Sequence, residues 1–246
     1  MLNVLRPIEV RVVQTTDEFR EASHLVYLDY VRYSRARTNA AQLKLSIYHA
    51  LPTTTTFIAR HRRGSIIGTL SLIEDSPCGL PMDESYKAEL DVLRKRKLRL
   101  AEATMLAGQH DSWRLTTQLF QVVLDYLRSC TQSDELVTVL DPTRQLLDGG
   151  AHPLQPLGIL QPSAGGTDAQ HPARHLFITA TRCHPRSPES FAKKLRFSSD
   201  DLRLLFVVLS PVFASASRTE LDYLKSCYPT YDFTTILQPA TRVPVA

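Results

Sequence analysis

Two long extended segments follow one another near the middle of the amino-acid sequence, and only Arg62, Arg63 and Gly64 separate them. The segments cover 53–61 and 65–74, and both are rich in β-branched and apolar residues. A short turn that contains glycine between two such segments predicts an antiparallel hairpin. The chain is therefore expected to build a sheet around this hairpin.

Helical and extended segments alternate before and after the hairpin. Strands are predicted over 9–14, 98–107 and 136–140, where apolar and β-branched residues are concentrated. Helices are predicted over 16–33, where Thr15 and Glu18 match a capping box, from a cap at Asp83, and from a cap at Asp111 or Ser112. Their apolar residues recur at helical spacing: Phe19, Ala22, Val26 and Tyr30; Tyr86, Leu90 and Leu93; Leu115, Leu119, Val122, Val123 and Tyr126. This order predicts the α/β (α+β) class, with a mixed sheet flanked by helices.

The rest of the chain is less regular. Loops are expected over 34–47 and 75–83, and over 148–170, which is rich in Gly, Pro and Gln. Further strands are predicted over 175–182 and 203–209, further helices over 188–197 and 219–227, and a frayed tail from Gln238.

Composition excludes several classes of protein. With 246 residues, 43% of them hydrophobic, the chain is long enough for one sizeable core and does not require two domains. It contains neither the roughly 20-residue apolar run of a membrane span nor the apolar segment of a signal peptide, so a cytoplasmic protein is expected. A net charge of +4 is too small for a dedicated nucleic-acid binder.

The basic residues form two clusters, at 60–63 and at 94–99. They are either solvated surfaces or docking sites for an acidic partner, and the sequence leaves both interpretations open.

Metal and hydrolase chemistry have little support in the sequence. The four cysteines, Cys78, Cys130, Cys183 and Cys227, are far apart, which is typical of reduced thiols. The residues His171, His175, Cys183 and His184 do not follow the spacing of a zinc site, so no metal is predicted. A Ser-His-Asp hydrolase is disfavoured because no Gly-x-Ser-x-Gly motif occurs.

The most specific stretch of the chain lies at 49–107. It contains His-Ala-Leu-Pro-Thr-Thr-Thr-Thr from His49, Asp-Ser-Pro-Cys-Gly-Leu-Pro-Met-Asp from Asp75, and Arg-Leu-Ala-Glu-Ala-Thr from Arg99. This stretch resembles the catalytic core of the FeeM-type N-acyl amino acid synthases, which are related to the acyl-homoserine lactone synthases and share the GNAT fold. The resemblance continues more faintly from Val10 to about 179.

The resemblance implies a fold and an activity. The fold would be GNAT-like, with a mostly antiparallel central sheet: a core at 1–181 and a C-terminal extension at 182–246 packed on the same domain. The family moves a long acyl chain from the phosphopantetheine arm of acyl carrier protein to the amine of an amino acid. Acyl carrier protein and a small-molecule amine would be the partners, the thioester would be the donor, and no separate cofactor would be needed. The arm would lie where the strands at 98–107 and 136–140 splay apart.

Two residues on the strand at 98–107 are candidates for catalysis. Glu102 stands in an apolar strand, where burial would raise its pKa and suit it to accept the proton of the attacking amine. The resemblance also implies a glutamate here; the alternative is a carboxylate on a solvated edge. Thr104 matches a Ser or Thr of the family and shares a face with Glu102 by strand alternation, although β-branched residues are ordinary in strands.

Further residues are candidates for substrate binding. Thr54 and Thr56 can present hydroxyls to the substrate carboxylate, or simply form the polar side of a strand. Leu70, Leu72 and Met82 can line an acyl tunnel, although each can equally belong to the ordinary core.

The chain departs from the family pattern at 142–148. Arg144 stands where the family has a histidine, and Asp148 stands where many GNAT enzymes have the tyrosine that protonates the leaving thiolate. Arg144 is placed with the substrate-binding residues, because a guanidinium cannot act as a base at neutral pH.

The segment at 109–114 bears on the donor. It lacks the glycines with which acetyl-CoA enzymes of this fold hold a pyrophosphate, which disfavours a CoA donor. Three hypotheses follow: an acyltransferase that uses acyl carrier protein, a non-catalytic relative that binds acyl chains or the carrier, and an acetyl-CoA enzyme.

Overall fold

The computed structural model describes residues 8–33, 36–61, 64–108, 113–140, 175–180, 212–213, 216–229, 231 and 233. In these ranges six strands form one sheet whose spatial order is the chain order. The strands are β1 (Ile8–Val12), β2 (Thr54–His61), β3 (Ile66–Glu74), β4 (Leu100–Gly108), β5 (Glu135–Leu140) and β6 (His175–Ala180). Only the β4–β5 pair is parallel among these neighbours, so the sheet is mostly antiparallel.

The helices confirm the predicted periodicity. They are α1 (Thr16–Arg32), a 3-10 helix (Ile47–Ala50), α2 (Asp83–Lys95), α3 (Trp113–Cys130) and α4 (Arg218–Cys227). The predicted apolar positions of α2 are buried, as are those of α3 except for the half-buried Val122. The predicted caps of α3, Asp111 and Ser112, lie outside the described residues.

The two predicted helix caps that lie within the described residues differ in outcome. At α1 the Thr15 hydroxyl accepts the Glu18 N–H at 3.2 Å, as predicted, while the Glu18 carboxylate accepts from Gln14 N–H rather than Thr15 N–H. At α2 the prediction is wrong by one residue, because the cap position is Met82 and Asp83 is already helical. The Asp83 carboxylate instead accepts the Leu80 N–H at 2.7 Å and binds Arg94.

The sheet is covered on both faces. One face packs against α3 through a cluster that includes Phe57, Leu70 and Ala101. The other face packs against α1 through Ile58 and Met105 and against α2 through residues such as Ile73, Leu100 and Val137. Strand β3 is therefore buried along almost its whole length, which explains its continuous apolar sequence.

The parallel pairing of β4 with β5 is short. It covers four residue pairs and ends at Ala103 and Thr138, although β4 continues to Gly108. The Thr138 hydroxyl donates to the Ala103 carbonyl at 2.8 Å, so a side chain satisfies the carbonyl where the backbone ladder stops. The pairing of β3 with β4 shifts register just beyond this point, where Met105 has a φ of 55°. A bulge of this kind bends a strand, and the end of the β4–β5 pairing is compatible with the predicted splay of the two strands.

The C-terminal part of the described chain packs against the same core. A capping box at the start of α4 is formed by Ser217 and Glu220. Phe213, Leu224 and Phe233 are buried in the cluster around α1. The Tyr228 hydroxyl donates to the Ala50 carbonyl at 2.6 Å. The division at 181/182 stays a prediction, because 181–211 lies outside the described residues, as do the predicted loop at 148–170, the helix at 188–197, the strand at 203–209 and the tail.

None of the helices in the described ranges has the length and apolar character needed to cross a membrane.

Gly68 sets the distance between the sheet and α3. A Cβ atom at this position would lie 2.9 Å from Leu115 Cδ2 and 3.1 Å from its Cγ. We expect Gly68→Ala to destabilise the protein by about 1–3 kcal/mol in urea denaturation, because the leucine must move in a packed core. Combination with Leu115→Ala should remove most of this coupling. Additive losses in the double mutant would show that the contact with Leu115 does not limit the position.

Candidate active site

Glu102 is the third residue of β4, one residue before the parallel pairing with β5 ends. Its side chain is 4% exposed. Its cross-strand partners are Ile73 on β3 and Val137 on β5, and both belong to the apolar layer beneath α2. The carboxylate is therefore held in an apolar environment beside the end of the β4–β5 pairing, and not on the solvated edge that the sequence also allowed.

Two groups act directly on this carboxylate. The Met82 N–H, at the start of α2, donates to Oε2 at 2.9 Å. The Thr104 hydroxyl, two residues along the strand, also stabilises the charged form. Burial outweighs both, and the nearby Asp83 adds to it, so that the pKa of Glu102 is raised to about 8. A carboxylate with this pKa can exchange a proton with an amine near neutral pH.

Tyr48 brings a second polar side chain to the same region from the 3-10 helix. Its hydroxyl donates to the Cys78 carbonyl at 3.4 Å. Burial raises the pKa of Tyr48, and the charges of Glu220, Cys78, Asp83 and Glu102 raise it further. Tyr48 therefore stays protonated as a hydrogen-bond donor near the carboxylate.

A row of hydroxyls runs across the sheet on the same face. Thr56 on β2 faces Ser71 on β3, and Ser71 faces Thr104 on β4. The hydroxyl oxygens of Thr56 and Ser71 are 3.3 Å apart. Because antiparallel register partners project to the same side, these three hydroxyls lead from β2 toward Glu102. Such a row can bind the polar end of a substrate.

The predicted site residues do not all come together. Thr54, Thr56, Met82 and Thr104 share the face of Glu102, although the Thr54 hydroxyl donates to the Tyr48 carbonyl at 2.5 Å and so holds the 3-10 helix. Leu70 and Leu72 lie on the opposite face, fully buried against α3, so the structure does not bring them to the carboxylate. Arg144 and Asp148 lie outside the described residues.

Three features of the site were not predicted from the sequence. Ser71 stands between two leucines and looks like any residue of a buried strand, and its place beside Thr104 follows from the β3–β4 register, which the sequence does not show. Tyr48 belongs to a 3-10 turn without a useful period. The Met82 contribution comes from its backbone N–H, which no side-chain pattern reveals.

The arrangement favours acyl transfer chemistry. A buried carboxylate stands beside the point where two strands stop pairing, and hydroxyl groups flank it. Within the described ranges, no group of three His, Cys, Asp or Glu residues is placed so that it could hold a metal ion. His171, Cys183 and His184 lie outside those ranges.

A protein family and a solved structure match this chain. Residues 21–146, just over half of the chain, match the family described as N-acyl amino acid synthase FeeM. The structure of FeeM, from uncultured soil microbes, aligns with 71% of this chain and 91% of its own at 26% identity and a TM-score of 0.56. The predicted GNAT-like mixed fold is thereby confirmed.

Other solved structures are more distant. The AHL synthase LasI aligns with 78% of this chain and 100% of its own at 13% identity and a TM-score of 0.47. An N-acetyltransferase from Staphylococcus aureus Mu50 aligns with 71% and 98% at 14% identity and a TM-score of 0.45. Because both TM-scores are below 0.5, neither structure supports a conclusion beyond that of the FeeM match. Comparison with curated proteins gives no match.

The burial of Glu102 predicts a pH dependence of stability. Because its pKa rises from 4.5 to about 8 on folding, the native state binds a proton between these values that the unfolded chain has lost. Stability therefore falls as pH rises through this range. The Glu102→Gln variant has no carboxyl group that titrates at this position. Its free energy of unfolding, measured by urea denaturation, should therefore rise relative to that of the wild type by a few kcal/mol between pH 4.5 and 8.5. Parallel stability curves for the two proteins would contradict the buried, proton-binding state.

Proposed function

Because this chain belongs to the FeeM family of N-acyl amino acid synthases, and is thus an N-acyltransferase, we propose that it transfers a long-chain acyl group from acyl carrier protein to the amine of an amino acid. The observation that supports the chemistry is the buried carboxylate of Glu102 beside the end of the β4–β5 pairing. The reaction needs a base at the point where the thioester carbonyl and the amine meet.

The proposed reaction balances without a further cofactor. The amine nitrogen attacks the thioester carbonyl carbon and forms a C–N bond. The tetrahedral intermediate then breaks the C–S bond and releases the phosphopantetheine thiolate, which takes up a proton. Glu102 accepts the proton that the amine must lose, either directly or through water.

The raised pKa suits this role. With a pKa of about 8, roughly a tenth of the molecules carry an ionised Glu102 at pH 7, and that fraction is a stronger base than an ordinary carboxylate. Thr104 and the Met82 N–H keep the ionised form accessible in spite of the apolar surroundings. The rate is therefore expected to rise with pH up to about 8.

The hydroxyl row is the proposed binding site for the polar end of the acceptor. Thr56, Ser71 and Thr104 approach Glu102 from the β2 side of the sheet. Hydroxyl groups can accept from an ammonium group or donate to a carboxylate, and an amino acid offers both. Arg144 stays a proposed ligand for the substrate carboxylate on the grounds of its sequence position.

A carrier-protein donor is proposed over CoA for two reasons. The segment at 109–114 has no glycine for a pyrophosphate-binding turn, and acyl carrier protein keeps its phosphate outside such a site. The second reason is the match to a family of N-acyl amino acid synthases.

The positions of the two basic clusters relative to the sheet support one of them as the docking site for the acidic carrier. Gly108, at the end of β4 beyond the β4–β5 pairing, pairs with Gly68 near the start of β3, and Arg60 near the end of β2 pairs with Ile66, so Arg60 lies at that end of the sheet. Arg99 precedes β4 and therefore lies at the other end, roughly 30 Å away at strand spacing. Arg99 is also bound by Asp134 through two bonds of 3.0 Å. The cluster at 60–63 is thus the proposed docking site.

Glu102→Gln should abolish amide formation while it leaves the binding of acylated carrier protein intact, because the amide cannot accept the proton. The measurement is mass spectrometry of products from long-chain acyl carrier protein and a mixture of amino acids. The wild-type rate should rise with pH through about 8. Full activity of the variant would exclude Glu102 as the base. No product from the wild type, with the carrier bound, would favour a protein that binds without turnover, as the changes at Arg144 and Asp148 allow.

Charge reversal tests the docking site. Arg62→Glu with Arg63→Glu should raise KM for acyl carrier protein by roughly tenfold at low salt, and the effect should shrink as salt is added. Lys95→Glu with Arg96→Glu changes the net charge equally on exposed residues of the other cluster and should have little effect. An equal effect of both pairs would mean that only net charge matters, and a larger effect of the second pair would place the carrier at the other end.

A further inference from the structure

The connection between β3 and α2 carries a motif that the proposed chemistry does not yet explain. It runs from Asp75 to Asp83 and includes Gly79. The connection matters for the site because its last turn presents the Met82 N–H to Glu102. The side chains that hold this turn are therefore candidates for control of the base.

Arg94, near the end of α2, binds both ends of the connection. Its guanidinium donates to the Asp75 carboxylate at 2.7 and 3.0 Å. It also donates to the Asp83 carboxylate at 2.6 and 2.7 Å, and to Asp91 at 3.0 Å. All these groups are at least partly shielded from solvent, which strengthens such charge-assisted pairs. A lysine could not make two bidentate contacts.

The Asp83 end of this clamp leads directly to Met82. Asp83 Oδ2, which Arg94 holds, also accepts the Leu80 N–H at 2.7 Å. Gly79 is in the left-handed region with a φ of 73°, and a Cβ there would lie 2.4 Å from the same oxygen. The turn thus closes tightly around the Asp83 carboxylate, with Met82 directly before it.

The Asp75 end fixes the clamp relative to the strand that carries Glu102. Asp75 N–H donates to the Leu100 carbonyl at 2.9 Å, two residues before Glu102 on β4. One guanidinium therefore connects the start of β4 with the turn that donates to the carboxylate. The distance between the Met82 N–H and Glu102 depends on both contacts.

Charged and titratable groups near the carboxylate come from several elements. Asp83 approaches from α2, Tyr48 from the 3-10 helix and Cys78 from the connection, and Glu220 on α4 acts on Tyr48. The partners on β3 and β5, Ile73 and Val137, are apolar. From the start of α2, the Met82 N–H donates a hydrogen bond to Glu102 and favours the ionised form of this carboxyl group.

We propose that Arg94 is a positioning residue, whose clamp on Asp75 and Asp83 keeps the Met82 N–H on Glu102 and so favours the charged form of the base. This proposal rests on the proposed role of Glu102 only for its effect on catalysis. The contact itself is independent of the reaction. Disruption of the clamp should leave Glu102 in place and make it harder to ionise.

The test is titration of the Glu102 carboxyl by 13C NMR in the full chain, with the signal assigned by its loss in Glu102→Gln. Arg94→Lys keeps the charge and cannot form both bidentate contacts, whereas Arg94→Gln loses both. The titration midpoint of Glu102 should rise by about one pH unit, a tenfold change in proton affinity, in both variants. Arg99→Lys and Arg99→Gln are matched controls, because Arg99 binds Asp134 bidentately away from the turn, and should leave the midpoint unchanged.

Gly79→Ala provides a second variant that changes no charge and opens the same turn, in case the Arg94 variants do not fold. It should raise the midpoint in the same direction. The titration midpoint could instead rise only in Arg94→Gln and stay at the wild-type value in Arg94→Lys and Gly79→Ala. That result would overturn the proposal in favour of a simple effect of charge. An unchanged midpoint in every variant would overturn it as well.

The pH profile of kcat/KM separates this proposal from the function on which it rests. If Glu102 is the base, the lower limb of the profile should move with the NMR midpoint in each variant. If the NMR midpoint rises and the profile does not follow, the clamp is confirmed and the assignment of Glu102 as the base fails.

Discussion

Burial of a carboxylate in an apolar layer is unfavourable, and the structure around Glu102 is arranged to tolerate it. The side chain lies between β3 and β5 beneath α2, where its cross-strand neighbours are Ile73 and Val137. If charged partners bound both oxygens of Glu102, its pKa would return to that of an ordinary carboxylate, which is a weak base. Instead it receives one backbone N–H and one hydroxyl, which are enough to keep it in the fold and too few to cancel the effect of burial.

The geometry of the sheet decides where this carboxylate can act. A parallel pair that continued along β4 and β5 would close the space beside Glu102 with backbone hydrogen bonds. The pairing stops at Ala103 and Thr138, and a bulge around Met105 follows on β4. Glu102 thus stands one residue before the point where the two strands stop pairing. Thr138 removes the cost of ending the ladder by bonding the Ala103 carbonyl.

Local signals in the sequence predicted most of the described fold. The hairpin, the Thr15 cap and the apolar stripes of α2 and α3 depend on residues close together in the chain. Glu102 was recognisable because a charge stands in an apolar strand. The two faces of β3 were harder to assign. Because this strand is buried on both sides, alternation could not show that Leu70 and Leu72 pack against α3. The Arg94 contacts join residues 11 and 19 positions apart, which no periodic pattern reveals.

The hydrogen bond between Tyr228 and the Ala50 carbonyl has a consequence for the order in which the molecule assembles. It joins residues 178 positions apart, and closure of a loop of that length costs ~4–5 kcal/mol of chain entropy. The sheet pairs from β1 to β5, by contrast, need only the first 140 residues. On the ribosome, the strands that surround Glu102 can therefore pair before α4 has been synthesised. The contacts of Leu224 and Tyr228 with the cluster around the 3-10 helix come later, so translation itself separates the pairing of the strands around Glu102 from the packing of the C-terminal part.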